Sequence, residues 1–393
     1  MRDVAIIGCG MTKFGRQHDK SLMDLLAEAS LKALDDAKIW DHGVDSIYVA
    51  SMMAGELTHQ TAIASALADY LGLLPAAAER IENGPASGGS AVKNAYLAVA
   101  SGVYDAVLAV GGEKMRHVPG DTVTDLVATM THPQGEYQHG VTLPSLAAMF
   151  TRLYMSRYGL TSEHLAKVAI KNHSNALKNP YAHIRQAITL EGILTSREAE
   201  VNNPLVADPL RLYDCCPVSD GAAAVVLYPL EKAREFSDSP VKVAGIGQAT
   251  DTLAVHDRKD PAVLEAVRKA SQLAFAMAKI NPKDIDLAEL HDAFTILEIA
   301  ESEDAGFFKK GTGHKALEEG VTSLGGRLPI NPSGGLKARG HPVGATGVAQ
   351  VVELTWQLRG EAGERQVQDA RRAYCCNFGG FGNNVVSFVL ERE

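Results

Sequence analysis

The residue that stands out chemically is His341, because it lies in a glycine-rich turn. The turn reads Asn331-Pro-Ser-Gly-Gly-Leu-Lys-Ala-Arg-Gly-His-Pro-Val-Gly-Ala-Thr-Gly347, and a helical pattern follows it. Glycines in such a turn let a ligand approach bare backbone. The N-terminus of the following helix favours an anion or a developing oxyanion. The pattern therefore indicates a site for negative charge beside an imidazole.

A second candidate is a thiol at the end of an apolar strand. The segment Cys375-Cys-Asn-Phe-Gly-Gly-Phe-Gly-Asn-Asn-Val-Val-Ser-Phe-Val-Leu390 predicts a strand, a tight glycine turn and another strand. Taken alone, this segment and the turn around His341 are equally compatible with turn-forming residues and a buried cysteine. The residues by themselves leave both interpretations open.

Other chemical motifs have little support. Gly8-Cys-Gly10 follows a strand, but Lys13 stands where a dinucleotide fingerprint needs its third glycine, and no helix begins there. The 13 histidines show neither H-x-H nor H-E-x-x-H spacing, and the 5 cysteines form no CxxC pair. The sequence predicts no metal site.

Charge and hydropathy exclude several classes of partner. The 393 residues include 47 acidic and 38 basic side chains, for a net charge of -9. Nucleic acid is not an expected partner, because phosphate binding needs a basic face. An apolar run of about 18 residues is missing, so no membrane span is expected. The chain starts directly in a strand pattern, which predicts a cytoplasmic protein with reduced cysteines.

The elements that must position these residues follow a repeated order. Residues 4–10, 21–37 and 44–50 predict a strand, a helix and a strand, a βαβ unit that requires a parallel sheet. About 240 residues later, a similar strand and helix pattern recurs at residues 243–247 and 262–278. A repeat on this scale indicates a duplicated fold.

The repeat predicts two halves, residues 1–240 and residues 241–393. Ala86-Ser-Gly88 corresponds to Ala345-Thr-Gly347, each at the glycine-rich start of a helix. Residues from about 115 to 215 interrupt the repeat, and a segment of that length is more often a lid or binding loop than a plain connection. We therefore expect an inserted loop domain in the first half.

Several separated motifs, in the right order, resemble the thiolase superfamily over essentially the whole chain. Gly340-His-Pro-Val-Gly-Ala-Thr-Gly347 is similar to the family's histidine motif, and Cys376-x-x-Gly379-Gly-x-Gly382 is similar to its C-terminal cysteine motif. His291-Asp-Ala-Phe294 stands where most members have Asn-Glu-Ala-Phe. Val168-Ala-Ile-Lys-Asn-His-Ser-Asn175 and Asp214-Cys-Cys-Pro-Val-Ser-Asp-Gly-Ala-Ala-Ala224 look most like the branch of archaeal acetoacetyl-CoA thiolases and sterol-carrier-type thiolases.

The resemblance implies a fold, ligands and partners. The fold would be the α/β, duplicated thiolase fold with five layers, α/β/α/β/α. The substrates would be coenzyme A thioesters, with no covalently bound cofactor and a homodimeric core. Members of this branch often work with a small partner that carries a zinc ribbon and an OB-fold, so a hetero-oligomer is also expected.

Site residues follow from the resemblance position by position. His341 would activate a thiol and help to hold the thioester oxygen of an enolate, and His291 would orient a water or donate directly to that oxyanion. Cys376 would move a proton at the α-carbon. The backbone of Gly379 and Gly380 would belong to the oxyanion site. An alternative interpretation of His291 is a core histidine with its hydrogen bonds satisfied inside the protein.

Two further sets of residues are candidates for substrate contact. Lys337 and Arg339 flank the histidine turn and, with Ser333 and Gly334, could meet coenzyme A, although the two cations could equally be only solvated. Five methionines lie in segments expected to border the acyl tunnel, either to fit a bulky acyl group or as plain core filling: Met52, Met53, Met115, Met130 and Met149.

The main departure from the family is at residue 85. The family's nucleophilic cysteine stands in a Cys-x-Ser-Gly context, and here Pro85 takes its place in Arg80-Ile-Glu-Asn-Gly-Pro-Ala-Ser-Gly-Gly-Ser90. Proline has neither a thiol nor a backbone N–H. Loss of one oxyanion donor alone typically costs about 10²–10³ in rate. Ser87 is the nearest hydroxyl, but two residues along a helix turn it by about 200°.

Three functions remain open at this stage. The first is thiolase-like carbon–carbon cleavage or Claisen condensation of a β-ketoacyl-CoA without the usual acyl-enzyme, by direct attack of coenzyme A. The second is retro-aldol cleavage of a β-hydroxyacyl-CoA, which needs no acyl-enzyme. The third is a non-catalytic subunit that binds coenzyme A. Retention of His291 and His341 favours the first.

Overall fold

A computed structural model describes residues 1–195 and 202–393. Its strands, in chain order, are β1 (Val4–Met11), β2 (Ser46–Ala50), β3 (Ala77–Ile81), β4 (Val107–Glu113), β5 (Leu205–Ala207), β6 (Leu210–Arg211), β7 (Gly221–Pro229), β8 (Val241–Thr250), β9 (Leu287–Glu289), β10 (Arg372–Gly379) and β11 (Asn384–Arg392). Nine of these strands form one mixed sheet in the order β3-β2-β4-β7-β1-β8-β11-β10-β9, and β5 pairs with β6.

Helices cover both faces of this sheet. The first begins at a capping box, in which the Ser21 hydroxyl accepts from the N–H of Asp24 and the Asp24 carboxylate accepts from the N–H of Ser21. The helices are α1 (Leu22–Asp36), α2 (Ala54–Thr58), α3 (Ile63–Tyr70), α4 (Ser87–Ser101), α5 (Gly120–Ala128), α6 (Leu143–Tyr158), α7 (Ser162–Leu177), α8 (Leu190–Thr195), α9 (Glu265–Ala278), α10 (Thr295–Asp304), α11 (Gly313–Glu318), α12 (Gly335–Arg339) and α13 (Thr346–Arg359).

The strand order confirms that the fold is duplicated. In the first half, β1 pairs antiparallel with β7, β7 pairs antiparallel with β4, and β4 pairs parallel with β2. In the second half, β8, β11, β10 and β9 repeat these three pairings in the same order and orientation. The halves join where Ala5 and Ile6 pair with Lys242 and Val241.

Three apolar clusters make the layers. One packs α1 and α3 on the outer face of the first half-sheet, and one packs α9 and α10 on the outer face of the second. The third lies between the half-sheets and is built around α4 and α13. The resulting order is α/β/α/β/α, as the resemblance to the thiolase superfamily implies.

Glycines let the two central helices touch. A Cβ atom on Gly88 would lie 2.8 Å from the backbone nitrogen of Gly347, and a Cβ on Gly347 would lie 2.2 Å from that of Gly89. Side chains do not fit at such distances, which explains the matched Ala-Ser-Gly and Ala-Thr-Gly sequences at the two helix starts. This contact fixes where the N-termini of α4 and α13 lie.

The segment between β4 and β7, residues 114–220, is mostly helical in its described part. It holds α5 to α8 and the ribbon of β5 and β6. Residues of its α5 and of the start of α6 line one cavity together with Gly380, which follows β10. Within the described residues, no helix has the length and apolarity that crossing a bilayer would need.

Replacement of Gly88 by alanine tests the helix contact. The added methyl group has no room, so Gly88→Ala should lower the free energy of unfolding by about 1–3 kcal/mol. Gly120→Ala is the matched control, because a Cβ there meets nothing within 4 Å. Urea unfolding followed by circular dichroism measures both, and equal stability of the two variants would contradict the packing.

Candidate active site

Two imidazoles of the second half lie close together. His291 follows β9, and His341 lies in the turn between α12 and α13. Their ring centroids are 5.0 Å apart with planes at 88°. His291 also stacks on Phe378 at a centroid distance of 5.3 Å and an interplanar angle of 8°. The structure therefore brings together the two histidines that the sequence analysis selected.

The side chain of Asn377 fixes the protonation of His291. The N–H of Gly89 donates to the Asn377 Oδ1 at 3.0 Å, so the Asn377 Nδ2 faces the other way. That Nδ2 donates to the carbonyl of Pro85 at 3.0 Å and to the Nδ1 of His291 at 3.2 Å. Because Nδ1 accepts, the ring proton is on Nε2, and His291 is a hydrogen-bond donor to a ligand.

His341 has the opposite polarity. Its Nδ1 lies 2.6 Å from the hydroxyl of Thr346, and that hydroxyl donates to the carbonyl of Pro342 at 3.1 Å. The hydroxyl oxygen therefore accepts from Nδ1–H, which leaves a lone pair on Nε2. The Nε2 atoms of His291 and His341 have no hydrogen-bond partner among the described residues. One ring can accept a proton and the other can donate a hydrogen bond.

Burial keeps both imidazoles neutral. Removal from water lowers the pKa of His341 to about 3, and the nearby Arg339 acts in the same direction. Burial also lowers the pKa of His291 well below its ordinary value, with His341 and Arg339 as further causes. A neutral acceptor and a neutral donor are therefore present together at pH 7.

Buried carboxylates behind the histidines tie their two segments together. The Glu289 carboxylate pairs with Arg339 at 3.2 Å and accepts from the hydroxyl of Ser333 at 2.7 Å. Asp292 accepts from the N–H of Leu336 at 2.6 Å. Burial raises the pKa of Glu289 to about 7, although the Arg339 guanidinium opposes this shift. The segment after β9 is thus bonded to the start of the histidine turn.

The residues predicted to contact coenzyme A are buried in this structure. Ser333 and Arg339 are fully buried, and Lys337 is only 2% exposed. Gly334 packs against α7, where a Cβ would lie 2.7 Å from the side chain of Ala176. These residues hold the turn from inside the protein, and the two cations are neither solvated nor available to phosphate groups.

A largely apolar cavity opens in front of the two histidines. It has about 870 Å³ of empty volume, part of which is open to solvent. Pro85 and Gly380 line it together with His291 and His341. Its other walls are mostly aliphatic, aromatic and sulfur-containing: Met115, Val123, Thr124, Val127, Met130, Leu143, Pro144, Cys215, Cys216, Pro217, Val218, Ala293, Phe294, Leu297, Val343, Phe378 and Phe381.

The expectation for Cys376 is not met by this arrangement. Its side chain is fully buried in the outer core of the second half and is absent from the lining of the cavity. Burial raises the pKa of the Cys376 thiol well above its ordinary value, and the Glu301 carboxyl adds to this effect. Phe378, two residues further on the same face of β10, occupies the wall of the cavity. Cys375 is also buried, as expected, but between the half-sheets.

The hydroxyl of Ser87 does not reach the cavity in this structure. Its hydroxyl accepts from the N–H of Asn83 at 2.8 Å and donates to the carbonyl of Gly84 at 2.5 Å. The side chain is fully buried and does not line the cavity. Pro85, which the resemblance matches to the family nucleophile, does line the cavity just before α4.

The two glycines assigned to an oxyanion site differ. Gly380 lines the cavity with a φ of +59°, a conformation that favours glycine. Gly379 ends β10 and packs against the chain at Asn83, whose carbonyl oxygen would lie 2.8 Å from a Cβ. Only Gly380 therefore has access to a ligand.

Sequence reasoning missed three contributors. Asn377 orients His291 and was overlooked, although it lies within the C-terminal cysteine motif. Cys215 and Cys216 line the cavity, although the sequence pattern places them only in a turn. The sequence feature that could have identified them is a pair of neighbouring cysteines at the end of the inserted segment. Of the five methionines, Met115 and Met130 line the cavity, whereas the others lie elsewhere.

Comparison with known proteins agrees with this architecture. Residues 4–231 match the family model "Thiolase, N-terminal domain", and residues 247–392 match "Thiolase C-terminal domain-like". The chain belongs to the thiolase superfamily. It is 48% identical to an acetyl-CoA acetyltransferase of Methanothermobacter thermautotrophicus over 100% of both chains. It is 34% identical to human sterol carrier protein 2, covering 98% of this chain and 72% of that protein. Its full-length similarity to acetyltransferases identifies this superfamily member as an acyltransferase enzyme.

Two solved structures extend the comparison. The structure of the Ltp2-ChsH2(DUF35) aldolase has a TM-score of 0.84 and 27% identity, covering 99% of this chain and 97% of that one. Human mitochondrial 3-ketoacyl-CoA thiolase has a TM-score of 0.74 and 18% identity, covering 100% of this chain and 99% of that one. The second similarity supports the thiolase fold alone.

The neutral state of His341 predicts a dependence of stability on pH. Below about pH 6.5 the unfolded chain protonates this histidine, whereas the folded chain does so only near its lowered pKa. Stability should therefore fall as the pH decreases. A His341→Gln variant should escape about 1.4 kcal/mol of that loss between pH 7.5 and 5.5.

Urea unfolding at the two pH values measures this difference. His18→Gln, at an exposed position, is the control and should retain the wild-type dependence on pH. If His341→Gln loses as much stability as the wild type, the imidazole is not held neutral by burial.

Proposed function

We propose that this enzyme is a thiolase-type acyl-CoA C-acyltransferase that works without an acyl-enzyme at residue 85. It would cleave a β-ketoacyl-CoA with coenzyme A, or run the reverse Claisen condensation. The observation that carries the proposal is the pair of neutral imidazoles in one apolar cavity, His341 as a proton acceptor and His291 as a donor.

In cleavage, the His341 Nε2 takes the proton of the coenzyme A thiol. The thiolate attacks the β-carbonyl carbon of the substrate, and the bond between the α- and β-carbons breaks. Its electron pair forms an enolate, whose oxygen accepts from the Nε2–H of His291. A proton at the α-carbon then completes the second acyl-CoA. Both products retain their thioesters, so atoms and charge balance.

Pro85 explains why attack is direct. A residue without a thiol and without a backbone N–H can neither take the acyl group nor donate to its oxyanion. Coenzyme A and the β-ketoacyl-CoA must therefore occupy the site together. The gain from holding the two reactants in line replaces part of what a covalent intermediate supplies.

Aldolase activity is the second candidate. The specific observation in its favour is the TM-score of 0.84 and the 27% identity with the Ltp2-ChsH2(DUF35) aldolase. Retro-aldol cleavage of a β-hydroxyacyl-CoA also forms an enolate at His291, and His341 would take the proton of the hydroxyl group. Free coenzyme A is not a reactant in that case.

The same similarity bears on partners. That aldolase joins Ltp2 to ChsH2, a DUF35 protein, and we include a small partner subunit with a zinc ribbon and an OB-fold in the proposal. The buried state of Lys337 and Arg339 agrees with this, because this chain then needs another source of cations for coenzyme A. A homodimeric core and a cytoplasmic location stay predictions.

An assay with and without coenzyme A separates the two reactions. The purified chain, alone and with a candidate small partner, is offered β-ketoacyl-CoA and β-hydroxyacyl-CoA substrates of different bulk, and thioester products are measured by mass spectrometry. We expect cleavage of β-ketoacyl-CoA that requires coenzyme A. His341→Gln should lower its rate by about 10²–10⁴, whereas His18→Gln should not. Cleavage of β-hydroxyacyl-CoA without coenzyme A would instead establish the aldolase.

Restoration of a thiol tests the register at residue 85. The Pro85→Cys variant should form an acyl adduct during turnover, visible as a mass increase on that cysteine after tryptic digestion. The wild-type protein should form none. An acyl adduct on any wild-type residue that forms and decays at the turnover rate would refute direct attack.

A further inference from the structure

The proposed mechanism does not yet name the residue that protonates the enolate. The enolate formed by cleavage needs a proton at its α-carbon, and Cys376 is enclosed in the core outside the cavity. The described residues that line the cavity include one other pair of thiols, Cys215 and Cys216. Both are partly exposed, in contrast to Cys375 and Cys376.

Backbone contacts place Cys216 between the two histidine segments. Its N–H donates to the carbonyl of Ala293 at 2.9 Å, two residues after His291. Two residues after Cys216, Val218 forms a parallel bridge with His341. The segment that carries the thiol therefore runs from one histidine to the other along the cavity wall.

The two adjacent thiols have different surroundings. Cys215 donates its S–H to the carbonyl of Arg211, at a sulfur–oxygen distance of 3.6 Å. The thiol of Cys216 makes no hydrogen bond to another described residue. Cys216 is thus the thiol that is available to a ligand.

Lys337 supplies a second, independent observation. Its side chain is 2% exposed, and its ammonium makes no hydrogen bond to a described residue but faces the ring of Tyr213 at 5.5 Å. Burial lowers the pKa of Lys337, and Cys216 and then Cys215 are the strongest influences in the opposite direction. Because Tyr213 is close to Cys216 in the chain, a buried cation with spare donors packs on the segment that carries the available thiol.

We infer that Cys216 exchanges the proton at the α-carbon of the substrate, and that Lys337 is a positioning residue that stabilises its thiolate. This inference rests on the proposed function, because it names the proton donor for the enolate held by His291. The resemblance gives this proton transfer to Cys376 in β10, whereas the inference gives it to Cys216 in the inserted segment.

The proton balance is complete within the cavity. The Cys216 S–H gives its proton to the α-carbon of the enolate and becomes a thiolate beside the Lys337 ammonium. His341, which carries the proton of the coenzyme A thiol, returns it to that thiolate. The net transfer is one proton from coenzyme A to the new methyl or methylene group.

The resting state fits a donor. Burial raises the pKa of Cys216 to about 12, while Lys337 acts to lower it. At neutral pH the group is a thiol that carries the proton it must give. In the reverse condensation the Cys216 thiolate would be the base. The Lys337 ammonium then offsets part of the free energy needed to form a buried thiolate.

Exchange of acyl-CoA protons with solvent tests the assignment without carbon–carbon cleavage. The protein is incubated with acetyl-CoA and with a longer acyl-CoA in D2O, and deuterium at the α-carbon is measured by mass spectrometry. Cys216→Ser, which keeps the side-chain size, should lower the exchange rate by about 10²-fold. Cys9→Ser, remote from the cavity, should leave it unchanged.

Two outcomes of the exchange experiment would overturn the inference. One is wild-type exchange in Cys216→Ser, and the other is loss of exchange in a folded Cys376→Ala with retention in Cys216→Ser. If the wild type cleaves no β-ketoacyl-CoA and exchanges no proton, it is the proposed function that fails.

Alkylation of the protein without substrate tests whether Lys337 stabilises the Cys216 thiolate. With iodoacetamide, Cys216 should be labelled before Cys376, and Lys337→Met should slow labelling of Cys216 at least about tenfold across pH 7–9, because the thiolate loses its cation. Labelling of Cys216 no faster than Cys376, or unchanged by Lys337→Met, would overturn the pairing.

Discussion

The buried ion pair between Glu289 and Arg339 lies behind both histidines, and the geometry of the site depends on it. Glu289 ends β9 just before His291, and Arg339 ends α12 just before His341. Both side chains are fully buried, and Arg339 has two nitrogens without a partner among the described residues. Removal of either charge would leave the other unpaired in the interior, at a typical cost of about 3–5 kcal/mol. This cost fixes the spacing of the two imidazoles.

The duplicated fold creates the place where this pair can act. Each half-sheet supplies a central helix, α4 or α13, and the glycine contact between the helices brings their N-termini together. Asn377 spans the same junction, since it accepts from Gly89 at the start of α4 and donates to His291. The orientation of the His291 ring in the second half therefore depends on backbone in the first half.

Pro85 alters the chemistry but keeps the architecture. It ends the turn before α4 and still offers its carbonyl to Asn377, so the network that orients His291 is retained. Proline has neither a thiol nor an N–H, and the cavity still contains two neutral imidazoles and two thiols of the inserted segment. The proposed direct attack therefore needs only carbon–carbon chemistry through an enolate and no acyl transfer through residue 85.

The sequence by itself determined the duplicated α/β fold, the glycine-rich starts of two corresponding helices, the two histidines and the proline at residue 85, because these depend on local periodicity and on motifs that are contiguous in the chain. It did not determine which way a side chain points, so the predicted ligand contacts of Cys376, Arg339 and Lys337 involve side chains that are buried away from the cavity. Only the tertiary structure decided which thiols face the cavity. That choice depends on strand pleat and on contacts between segments about 75 to 300 residues apart, which no local pattern records.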